Sequence, residues 1–93
     1  EQNWTLAVEQ FYYAKTLFPD RIAPRKYLCY GYLVLCQDDW RYCNRGKREL
    51  YYAMKYVSPS DENNYSYLSE MVSIAGLDNV VKLEEGEALA AIY

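Results

Sequence analysis

Residues 3–20 read NWTLAVEQFYYAKTLFPD, and this stretch decides the fold class. Its apolar and aromatic positions are Trp4, Ala7, Val8, Phe11, Ala14 and Phe18. They advance in steps of three and four, the spacing of one buried helical face. Asn3 is placed to cap the start, and Pro19-Asp20 to stop the helix. The rest of the chain repeats the theme. A second helix is predicted over about 23–36, with Pro24 in its first turn, where a missing N–H costs nothing. It is apolar almost all round, as expected of a helix buried between neighbours. A third helix is predicted over about 39–57, capped by Asp38 or Asp39. Its inner side carries Tyr42, Gly46, Leu50, Ala53 and Val57. A fourth is expected over about 61–75, ending at the C-cap glycine Gly76, and a fifth over about 79–92.

Composition narrows what such a chain can do. The 93 residues suit one small domain, carry a net charge of −3 and are 52% hydrophobic. Mean hydropathy is nevertheless −0.39, because twelve of those residues are tyrosines. Tyr12, Tyr13, Tyr51 and Tyr52 are expected on or next to outward faces, where clustered tyrosine suits a partner surface. There is no histidine, which removes the commonest general base and metal ligand. Three cysteines, Cys29, Cys36 and Cys43, are too few for a four-cysteine zinc site. An odd, sparse count reads as reduced thiols packed as small hydrophobes, which predicts a cytoplasmic setting. The longest nearly uncharged apolar run, Tyr27–Cys36, is too short to span a bilayer. The chain opens inside a patterned segment, so it reads as a fragment of a longer protein.

Three features recur with an imperfect period. Asn3-Trp4 returns as Asp39-Trp40, and Tyr12-Tyr13-Ala14 as Tyr51-Tyr52-Ala53. Pro19-Asp20 returns near Pro59-Ser60-Asp61, so the period drifts from 36 to 40 residues. With Trp4, Ala7, Phe11, Ala14 and Pro19 in place, the first block resembles the second helix of a tetratricopeptide repeat. Leu28, Cys29 and Tyr32 after Pro19, and Tyr65, Leu68, Ser69, Val72 and Gly76 after Pro59, resemble its first helix. Arg25 and Lys47 depart from the pattern, standing where an aromatic is usual.

The resemblance implies an all-α fold: about five helices in antiparallel pairs, stacked as a short right-handed superhelix. It also implies a groove lined by the first helices of each pair. That groove would draw on Lys26, Tyr30, Leu33 and Val34, and on Asn63, Ser66, Glu70 and Ser73. Tyr30 stands where members that clamp a terminal carboxylate carry asparagine, so that ligand is not expected. The function implied is a non-catalytic module that binds a protein or peptide, with no cofactor and no metal.

Other readings stay beside this one. Arg41, Arg45, Arg48 and Lys55 fall within about 80° of one helical face and form a basic strip. The acidic balance of the whole chain disfavours nucleic acid as its partner. The carboxylate clusters Asp38-Asp39 and Glu84-Glu85-Glu87 could serve a small hydrolytic enzyme, or could simply cap and solvate helices. A regulatory or sensor domain of a larger bacterial protein is a further alternative. So is self-association through the first helix, because Trp4 and Phe11 would lose half their packing if nothing preceded it.

Overall fold

The computed structural model describes residues 3–93 and contains five α-helices and one short 3₁₀ turn, with no strand among the described residues. Helix α1 spans Trp4–Leu17. The Asn3 side chain accepts from the Leu6 N–H at 3.2 Å, which satisfies one of the free donors at the helix start. Helix α2, Ile22–Cys36, carries Pro24 in its first turn. The two helices meet at Gly31. A Cβ there would lie 2.5 Å from Val8 Cγ1, so only glycine lets α1 come this close. Trp4 covers the same spot and meets Tyr30 edge to face, with ring centroids 5.4 Å apart. Phe11 packs on Tyr27 in the same seam.

Helix α3, Arg41–Tyr56, packs along α2 more extensively than any other pair. Asp39 serves its start, accepting from the Arg41 N–H at 3.1 Å and pairing with the Arg41 guanidinium. Helix α4, Glu62–Ile74, ends in a Schellman motif. Gly76 adopts φ 72°, its N–H bonds the Ser73 carbonyl, and the Leu77 N–H bonds that of Val72. Leu77 is then carried into the core. That core joins Cys29 of α2, Leu50, Tyr51 and Ala53 of α3, Leu68 and Val72 of α4, and Ala88 and Ile92 near the C-terminus. A smaller cluster of Val8, Leu28 and Tyr32 holds α1 to α2. The radius of gyration, 12.6 Å, matches the roughly 12 Å expected of a packed chain this long.

Four expectations need correction. The single fifth helix is two elements: a 3₁₀ turn at Val80–Lys82 and helix α5 at Glu85–Ile92. Leu83 and Glu84 between them are extended. The Leu83 carbonyl is taken by the buried Tyr51 hydroxyl at 2.8 Å and leaves the helical ladder. Glu85 and Glu87 then sit in the first turn of α5, where the helix dipole favours carboxylates. Second, Tyr51 faces inward, not outward, and is 1% exposed. Third, Phe18 and Tyr65, expected inside, are exposed, because each lies at a helix end or on the flank of the inward stripe. Fourth, Cys36 and Cys43 form a disulfide with Cα atoms 4.7 Å apart. The reduced-thiol reading therefore fails for this pair and holds for Cys29 alone, which is free and buried. The short turn from α2 into α3 brings the two cysteines together. No helix among the described residues is long and apolar enough to cross a membrane.

Candidate functional site

Two clefts among the described residues bear on function. The first lies between α2 and α4 and encloses about 320 Å³. Of the eight residues expected in the groove, Tyr30, Leu33, Val34 and Glu70 line it. Lys26 stands outside this cleft, donating to Asn64 Oδ1 at 2.9 Å, with its ammonium over the rings of Tyr27 and Tyr67. Asn63 and Ser66 are exposed and do not line the cleft. Ser73 is turned to Asp78, to which its hydroxyl donates at 3.0 Å. The structure adds Gln37, Tyr67, Met71 and Ile74. On α4 the true lining, Tyr67, Glu70, Met71 and Ile74, follows the i, i+3, i+4, i+7 steps of a helical face. Positions taken from the family pattern missed that face except at Glu70. The signal was in the sequence, in the spacing of these large side chains.

The cleft is mostly apolar. Ile74 is 80% exposed at its rim, and Tyr30 is exposed beside it. Burial raises the Tyr67 hydroxyl above its ordinary pKa, with smaller contributions from Tyr30 and other neighbours. Glu70 has no salt-bridge partner, since Lys15–Glu49 and Arg41–Asp39 are the ion pairs among the described residues.

The second cleft is larger, about 610 Å³, and opens among α1, α3 and α5, with Tyr32 of α2 in its wall. It takes in half of the basic strip. Arg45 and Arg48 line it, together with Tyr12, Tyr42 and Tyr52. Arg41 and Lys55 do not. Arg41 is held by Asp39, and its guanidinium keeps that half-buried carboxyl below the usual range. Lys55 lies over the Tyr51 ring. The strip is therefore two residues in a cleft and two engaged elsewhere. Glu49 closes one side of the cleft. Its Oε2 meets Lys15 at 3.0 Å, while its buried Oε1 has no partner among the described residues. The Tyr52 hydroxyl donates to Glu85, and this bond is the largest cause of a tyrosine pKa pushed up to about 12.

The carboxylates and thiols singled out in the sequence have the following surroundings. Asp39 is committed to the start of α3, and Glu85 to Tyr52. No group of three potential metal-ligating side chains comes together among the described residues. Cys36 and Cys43 are bonded to each other, and burial pushes the remaining thiol, Cys29, far up its pKa scale. Comparison with protein families, with characterised proteins and with solved structures returns no match to this chain.

Proposed function

We propose that the chain is a helical-repeat interaction module, TPR-like in its stacking, that binds a peptide segment of another protein in the α2–α4 cleft. The observation that carries this reading is the cleft itself. It is preformed, apolar and rimmed by the exposed side chains Tyr30 and Ile74, with the unpaired carboxylate of Glu70 beside them. Such a surface suits a segment that inserts one large apolar side chain and sets a lysine or arginine against Glu70. The binding energy would come from burying the apolar side chain, at roughly 1.5–3 kcal/mol for a Leu- or Phe-sized group. The basic residue would add orientation more than affinity.

A displayed library of random 12-residue peptides, selected on the disulfide-intact protein, tests the proposal. The expected product is a family of sequences pairing an aromatic or aliphatic residue with a lysine or arginine. Their binding should fall at least about tenfold with Tyr30→Ala, and with Glu70→Lys through charge reversal. Absence of enrichment, or binding indifferent to both substitutions, refutes it.

A further inference from the structure

The Cys36–Cys43 bridge borders the α2–α4 cleft. Cys36 is the last residue of α2, and Cys43 lies in the first turn of α3. Leu33, Val34 and Gln37 line the cleft, and Gln37 follows Cys36 directly. Leu33 takes part in two contacts at once. It forms cleft wall, and its side chain fills the space over Gly46 of α3, where a Cβ would lie 3.1 Å from Leu33 Cδ2. The fit of α2 on α3 at this end therefore sets where Leu33 stands in the wall.

Few other contacts fix that end. Besides the Asp39–Arg41 pair, the turn is held by backbone bonds. The Gln37, Asp38 and Asp39 N–H groups donate to the Val34 and Leu35 carbonyls at 2.9–3.2 Å. Gln37, Asp38 and Trp40 are exposed, Trp40 at 80%. Exposed backbone bonds with few buried neighbours open at low cost. Both bridged cysteines are half-exposed, so a small thiol can reach them. Cys29 stays out of the exchange, because it is buried and burial pushes its thiol far up its pKa scale.

We propose that the Cys36–Cys43 bridge is a redox latch on the α2–α4 cleft. Closed, it holds the last turn of α2 in the cleft wall; opened by a dithiol, it frees that turn. Its control of a bound peptide rests on the function proposed above, whereas the latch itself does not. In the opening step, a thiolate of the dithiol attacks one bridge sulfur and displaces the other cysteine. The second sulfur of the dithiol then closes on the first and releases the remaining cysteine. Two electrons and two protons pass to the protein, which gains two thiols, and the dithiol becomes a cyclic disulfide.

The test compares amide NMR spectra of the protein in glutathione disulfide and in dithiothreitol, well below its melting temperature. Iodoacetamide should add no group to the first form and two to the second, read by mass. Reduction must shift amides near the cysteines whatever the bridge does, so the deciding amides lie across the cleft. Tyr67, Glu70 and Ile74 of α4 should shift on reduction and return on reoxidation, while Leu6, Tyr13 and Leu17 of α1 stay in place. The double variant Cys36→Ser/Cys43→Ser should give the reduced spectrum and ignore dithiothreitol. If that variant fails to fold, the return of the wild-type shifts in glutathione disulfide supplies the control. A library-selected peptide should bind the reduced protein at least about fivefold more weakly. The latch is overturned if the bridge does not form in glutathione disulfide, if shifts stop short of α4, or if reduction unfolds the chain. A selected peptide that binds both forms equally overturns the latch and leaves the peptide reading standing. Selection of no peptide sinks that reading, and the α4 shifts then decide the latch alone.

Discussion

Tyr51 shows how much one side chain can determine. Its ring is buried on the inner face of α3, and its hydroxyl bonds the Leu83 carbonyl, ending the 3₁₀ turn and aiming the chain into α5. Tyr51→Phe keeps the ring and removes the bond, leaving a part-buried carbonyl unpaired. The expected loss is about 1–2 kcal/mol in urea unfolding, larger than for a surface tyrosine. Gly31 is the second such position. Gly31→Ala gains about 1 kcal/mol of helix propensity but drives a Cβ to 2.5 Å from Val8 Cγ1. Val8 is β-branched and buried, so it cannot swing aside, and α1 must back away. A net loss of about 1–3 kcal/mol is expected from the same measurement, with an unchanged or rising stability contradicting this view of the α1–α2 seam. Tyr51 also marks the limit of reading residues from sequence. Tyr51 and Tyr52 are adjacent on one helix, and hydropathy treats them alike. Only the position of the chain after Lys82 tells which hydroxyl will find a buried carbonyl and which a surface glutamate.

At the scale of elements, the first four helices were legible because their limits rest on local chemistry. Asn3 and Gly76 act within one turn of the chain, and the inward stripe of α3 (Gly46, Leu50, Ala53, Val57) follows from spacing alone. The break in the fifth helix was not legible, since its cause, Tyr51, lies thirty-two residues upstream. The Cys36–Cys43 bridge was missed for a related reason. The break between the second and third helices was predicted, but the odd, sparse cysteine count read as reduced thiols, and only the packing of the turn shows that it brings Cys36 and Cys43 together. Closing so short a loop stabilises by about 2–3 kcal/mol through the unfolded chain. Reduction with dithiothreitol should therefore lower the melting temperature by roughly 10–20 °C in this size range. An unchanged melting curve would show that the bridge adds nothing to the α2–α3 pair.

The Tyr52–Glu85 contact makes a pH-dependent link between α3 and α5. The folded pKa of Tyr52, about 12, lies above its ordinary value of 10.0, because the hydrogen bond to Glu85 requires the protonated phenol. A raised pKa means the stabilisation is complete below pH 10 and is lost as pH rises toward 12. Tyr32 and Tyr67 are raised as well, so ultraviolet titration at tyrosinate wavelengths should show several phenols ionising late, with one at about 12 that Tyr52→Phe removes. Retention of the late step in the variant would assign it to another tyrosine.

For the whole molecule, half of the candidate groove was legible. Tyr30, Leu33 and Val34 share a face of α2 that any helical register predicts. On α4 the family pattern pointed one position away from the stripe that the packing uses, so Asn63, Ser66 and Ser73 fell outside and Tyr67, Met71 and Ile74 were missed. The spacing of Tyr67, Met71 and Ile74 carried the correct face, and the family register was followed instead. Trp4 and Phe11, expected to lose half their packing if nothing preceded the first helix, meet the rings of Tyr30 and Tyr27. The exposed side of α1 carries Leu6, Tyr13 and Leu17, which offer a rival contact surface outside the α2–α4 cleft. The most direct test is an amide NMR map of a library-selected peptide bound to the intact protein. The account predicts shifts concentrated at Tyr30, Val34, Tyr67, Glu70 and Ile74. Shifts confined to the Leu6, Tyr13 and Leu17 side of α1 would contradict it.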